Sequence, residues 1–208
     1  MRLSKTAVLL GGLLTISGST VVVSSVSAQD DTVAPTVKCS LRKNLLWPPN
    51  HKVVNAGLEI DASDDGEVAP MRKRKAPSKV AAGLSVQVNV FADEDDEEPT
   101  GDGRHSPDAR PGHSFTVSPG TEQSLWLRRE RKGNGDGRVY LIVVMARDAA
   151  GNVSQDCCTA VIPRNNSKRA RQSVARQAAA AAAFYNETRE LPSGFVPVGD
   201  GAILGPKK

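Results

Sequence analysis

Five side chains have the types and spacing to hold a hard cation: Asp61, Asp64 and Asp65 in one turn-forming stretch, and Asp148 and Asn152 in another. Calcium takes six to eight oxygen ligands, which carboxylates on neighbouring loops can supply. The spacing is not that of an EF-hand loop. Asp and Asn side chains also accept backbone N–H bonds in ordinary turns. The chemistry expected here is therefore turn capping or calcium binding, and calcium requires the two stretches to meet in space.

A second group is Trp47-Pro48-Pro49-Asn50-His51. The prolines fix φ, remove two donors and force an extended backbone. Trp47 is expected to plug one end of the fold, and Trp47 with His51 is also a candidate ligand contact. The chain has three histidines, His51, His105 and His113. Zinc wants three or four ligands in defined geometry, and the better expectation for His105 and His113 is a mobile loop. Asp93 to Glu98 open an acidic Gly/Pro-rich loop that runs to Gly112. Arg128, Arg129, Arg131 and Lys132 are expected beside it as solvated surface charge, which contributes little stability. Gly-x-Ser-x-Gly, His-Glu-x-x-His and phosphate-cradling signatures are absent from the sequence. A hydrolase reading would need two carboxylates ~5–10 Å apart in a deep pocket.

The elements that must position these residues read as strands. Val37, Cys39 and Leu41 alternate in the first strand. Val54, Ala56, Leu58 and Ile60 give the second, and Leu84, Val86, Val88 and Val90 the third. Phe115 with Val117, and Leu125 with Leu127, mark two short ones. Val139 to Ala146 is apolar on both faces, as a central strand is. After the Asp148–Asn152 turn, Cys158, Ala160 and Ile162 line the face expected to be buried, with Cys157, Thr159 and Val161 opposite. About seven short strands with turn signals between them give an all-β antiparallel sandwich.

Arg2 and Lys5, the apolar run Thr6 to Val23 and the small residues Val26-Ser27-Ala28 read as a signal peptide cleaved after Ala28. No later run has the ~20 apolar residues of a membrane span. The expectation is an exported sandwich over 29–163 and a basic tail over 164–208. Three cysteines, Cys39, Cys157 and Cys158, imply one disulfide and a spare thiol. First and last strands of sandwiches often lie side by side, so Cys39 is expected to reach Cys158, with Cys157 as the alternative partner.

From 29 to 163 the chain carries 17 Lys and Arg against 20 Asp and Glu; from 164 to 208 it carries 8 against 3. The folded part is acidic, which argues against a nucleic-acid-binding domain. The tail contains Ala178 to Ala183, a run of high helix propensity. It lacks a wide apolar stripe and reads as a marginal or disordered helix, with 191–208 unstructured. The alternative is a segment that orders on a partner or an anionic envelope surface.

Several strings resemble bacterial extracellular Ig-like modules of the HYR-like type. They are Leu46-Trp47-Pro48-Pro49-Asn50-His51-Lys52, Leu127-Arg128-Arg129-Glu130-Arg131, Gly135-Asp136-Gly137-Arg138-Val139-Tyr140 and Asp148-Ala149-Ala150-Gly151-Asn152. Glu97 to Gly103 is similar to that family's acidic loop. The resemblance covers about Pro35 to Pro163. It implies an Ig-like sandwich and a non-catalytic role at a cell surface, in a matrix or in adhesion, toward a protein or glycan partner. The chain departs from the pattern in having one module, a basic run over Arg72–Lys75 and the Ala/Arg tail. The second reading is a calcium-dependent binding protein, and the third is a hydrolase.

Overall fold

The computed structural model describes residues 31–64, 83–95, 105–118 and 122–201. The strands are β1 (Thr36–Leu41), β2 (Val53–Asn55), β3 (Leu58–Ser63), β4 (Ser85–Ala92) and β5 (Ala109–Arg110). Then come β6 (Ser114–Val117), β7 (Trp126–Arg128), β8 (Gly137–Arg147) and β9 (Val153–Pro163). Helix α1 (Lys168–Thr188) and strand β10 (Val196–Pro197) follow.

One layer is a five-stranded antiparallel sheet. β8 lies at its centre between β4 and β9, and both β6 and β10 pair with the far edge of β4. The facing layer starts with β1 paired to β3, and with β7 between β2 and β5. Ala56 and Leu58 donate their N–H groups to the carbonyls of Leu125 and Gln123, which joins these two small sheets. Between the layers sit Leu58, Ile60, Leu125 and Leu127 against Val86, Val88, Val90, Tyr140, Ile142 and Val144, all buried. Each such aliphatic side chain contributes about 1.5–3 kcal/mol when withdrawn from water. The all-β antiparallel sandwich is as expected.

The strand count exceeds the expected seven among the described residues. The expected second strand breaks at Gly57, whose φ of +67° interrupts the ladder. β5 and β10 are two-residue pairings that carry no periodicity of their own.

The apolar second face of β8 is covered by α1. Val139, Leu141, Val143 and Cys157 meet Val174, Ala178 and Tyr185 of the helix. The buried helix positions Val174, Ala178, Ala181 and Tyr185 recur at steps of four, three and four, one stripe of an α-helix. Ser167 caps the N-terminus by accepting the Ala170 N–H, and Arg189 ends the helix in the left-handed region. The segment expected as a marginal tail is thus a docked helix. Alanines give it a narrow apolar stripe and also let it approach the sheet closely. Residues 196–199 are likewise held: Val198 is fully buried and donates its N–H to Val90. No described helix is long and apolar enough to cross a membrane.

Candidate functional site

At the start of β8 the core changes from apolar to ionic. Arg138 lies two residues before Tyr140 on the same strand face, and its guanidinium sits 4.7 Å above the Tyr140 ring. It pairs with the Asp108 carboxylate and donates to the Glu94 carbonyl at 2.8 Å. Arg128 of β7 reaches the same aspartate, Nε to Oδ1 at 2.8 Å. Its remaining nitrogens donate to the carbonyls of His51 at 2.7 Å and Pro107 at 3.0 Å. The Tyr140 hydroxyl donates to the Arg128 carbonyl. Arg128, Arg138, Asp108 and Glu130 are all buried. Charges this deep persist only when paired and hydrogen-bonded.

The network ties four separate segments together. Asn50 and His51 donate backbone N–H groups to the Arg129 carbonyl, and Arg129 donates to the Trp47 carbonyl. Lys132 N–H binds the Glu94 carboxylate, and Val139 N–H binds that of Asp93, both at 2.8 Å. Burial pushes the Glu94 carboxyl up to about 7, although the Arg138 charge and the Lys132 N–H pull it down. Burial also raises Asp93, against the Val139 N–H and Arg138.

At the rim, the His51 and His105 rings stack with centroids 4.6 Å apart and planes 26° from parallel. His51 Nδ1 lies 3.3 Å from one Glu130 oxygen and His105 Nδ1 3.7 Å from the other. His51 has φ 61°, a left-handed conformation that a non-glycine residue keeps only when its surroundings hold it.

Sequence reasoning placed these residues unevenly. The expected solvated arginines are corrected at Arg128, which is buried on Asp108. Position 128 looks like surface because charge usually does; its partner lies twenty residues away in a loop without periodicity. His105 is stacked rather than loose, and His113 is held through Nδ1 by the Val90 carbonyl and lies edge-on to Phe91. Trp47 is half-buried, and Leu46 is the residue that enters the core. Sequence reasoning also missed Asp108, Glu130 and Arg138 as a set, and Trp126. Trp126 is 42 % exposed, opposite Asn55 on one side and Arg110 on the other.

The far end of β8 carries the expected acidic pole, roughly 33 Å along the strand from Arg138 at ~3.3 Å per residue. Asp64 and Asp148 meet there, joined by Asp31, which sequence reasoning missed. One oxygen from each of the three lies within 4.8 Å of the others. Asn152 donates from its amide to Asp148 and to the Asp31 carbonyl, both at 2.9 Å. Asp148 also accepts the backbone N–H groups of Gly151 and Asn152. Burial works to raise Asp148, but these hydrogen bonds outweigh it and hold the carboxyl below its ordinary value. Asp61 is outside the cluster, exposed on β3 opposite Lys38. Asp65, the basic run at 72–75 and Glu97 to Gly103 lie outside the described residues.

A Cys39–Cys158 disulfide, with Cα atoms 5.4 Å apart, ties β1 of one layer to β9 of the other. Closing a loop of 119 residues is worth about 5 kcal/mol in the chain-entropy model. Cys157 points the other way, under α1, where burial pushes its thiol up to about 11. No family model, no curated protein and no solved structure matches this chain.

Proposed function

We propose that the chain is an exported, non-catalytic Ig-like module that binds a protein or glycan partner at a cell surface or in a matrix. The observation that carries this reading is the fixing of the 47–52, 93–94, 105–108 and 128–138 segments to one another through Asp108, Arg128 and Arg138. A surface held in place before binding loses little conformational entropy on association. Beside it, Trp126 offers an exposed aromatic face between a polar and a cationic residue, the composition of an interface anchor. Three of the strings that resemble HYR-like modules, 46–52, 127–131 and 135–140, lie at this pole.

The test is retention of the labelled chain, starting at Gln29, on producing cells and on extracellular matrix. Specific retention, lost in Trp126→Ala while the melting temperature holds, supports the reading. Absence of retention above an albumin control, or equal retention by the variant, overturns it. Pretreating the surface with protease or with glycosidase separates a protein partner from a glycan.

Calcium binding at the other pole is the second reading, favoured by the convergence of Asp31, Asp64 and Asp148. Three carboxylates can supply up to six oxygens. A calcium-dependent rise in melting temperature, absent in Asp64→Asn, supports it; identical melts in calcium and in EDTA dismiss it.

A further inference from the structure

We propose that His51, His105 and Glu130 form a binding site for a divalent transition metal of the zinc class, at the rim of the buried charge network. One ring nitrogen of His51, one of His105 and a Glu130 carboxylate oxygen lie within 4.8 Å of one another. Around a tetrahedral zinc with bonds of ~2.0–2.1 Å, neighbouring ligand atoms stand ~3.3 Å apart. His51 Nδ1 stands 3.3 Å from one Glu130 oxygen and His105 Nδ1 3.7 Å from the other, so the carboxylate faces both rings. Closing onto a metal draws the ligand atoms in from within 4.8 Å and turns the two stacked rings so that both face one point.

The donor set selects the metal. Two imidazole nitrogens and one carboxylate suit zinc, nickel or copper, whereas calcium and magnesium prefer oxygen alone. Three protein ligands leave a fourth position for water. The donor atoms themselves are shielded from solvent, while the His51 side chain is 42 % exposed, which gives a metal a way in. The surroundings hold the ligands in place. Arg128 binds the His51 carbonyl and leans on Asp108, 3.9 Å from the Glu130 carboxylate. Such outer contacts set ligand orientation and metal affinity. The same residues without a metal would form a histidine–glutamate contact, and the experiment separates the two.

Tag-free mature chain is titrated calorimetrically with zinc chloride at neutral pH, and with cobalt(II) for its visible spectrum. Near one zinc per chain, an EDTA-reversible rise in melting temperature and the bands of four-coordinate cobalt are expected. Substituting the buried Glu130 threatens the fold, so His105→Ala and His51→Ala are used. Each is expected to weaken zinc about tenfold or more, while His113→Ala leaves it unchanged. Melts in EDTA check that the variants are folded. Failure of zinc to bind the parent chain, or unchanged zinc affinity in both folded variants, overturns the site.

Discussion

Asp108 and Arg138 face each other with 2 % of either side chain exposed, one on a loop and the other on the central strand. The aspartate also takes Arg128, so a single carboxylate neutralises parts of two buried cations. This makes Asp108 the residue on which the pole depends.

Asp108→Ala should therefore cost about 3–5 kcal/mol in denaturant unfolding, because it leaves two buried guanidiniums short of a counter-charge. The exposed pair Arg42–Glu122 is the contrast: Arg42→Ala should leave the unfolding midpoint nearly unchanged. Equal losses would mean the buried network adds nothing to stability.

Glu94 predicts a pH dependence. Its carboxyl rises from the ordinary 4.5 to about 7 in the fold, chiefly through burial. Between those values the folded chain binds a proton that the unfolded chain has released, so stability falls as pH rises across the window. Glu94→Gln should flatten that fall in urea melts taken from pH 4.5 to about 7. Asp93, also raised by burial, leaves a smaller slope of the same sign. A wild-type curve that climbs steadily through the window would contradict the assignment.

Cys157 should behave as an inert thiol. It is buried under α1 and raised to about 11, so the reactive thiolate is scarce at neutral pH. Native chain should resist a thiol reagent, and Ala178→Asp, which drives the helix off the sheet, should expose it. Rapid labelling of the native chain would show that α1 is not docked.

Gly137 controls how closely the helix approaches. It has φ +133°, and a Cβ there would stand 2.9 Å from the Ile162 carbonyl and from a Val174 methyl. Gly137→Ala should destabilise by roughly 1–3 kcal/mol through overpacking and backbone strain, read from the urea midpoint.

Much of the sandwich is legible in the sequence because its signals are periodic. Val86, Val88 and Val90 alternate inward, and the neighbours Cys157 and Cys158 divide between helix side and core side. The doubly apolar run Val139–Ala146 announces a strand covered on both faces, but not what covers it. The cover, α1, is hidden because its contact residues are mostly alanines, which barely register as hydrophobic. The acidic pole is half legible: the turns carrying Asp64 and Asp148 do meet, yet Asp31 joins them from outside any strand pattern. The charged pole is the least legible. Arg128, Glu130 and Arg138 read as surface by residue type, and their burial depends on an aspartate whose position only tertiary structure sets.

Amide hydrogen exchange tests most directly whether the charged pole is one locked unit. Four amides report it: His51 bonded to Arg129, Arg128 to Asp108, Lys132 to Glu94 and Val139 to Asp93. In the wild type they should exchange together, at a rate well below that of an open loop. In Asp108→Ala all four should accelerate together, while the amides of Ile142 and Val144 in the sheet change only by the global loss of stability. Four unrelated rates in the wild type, or a variant in which only Arg128 speeds up, would contradict a pole held as a single unit.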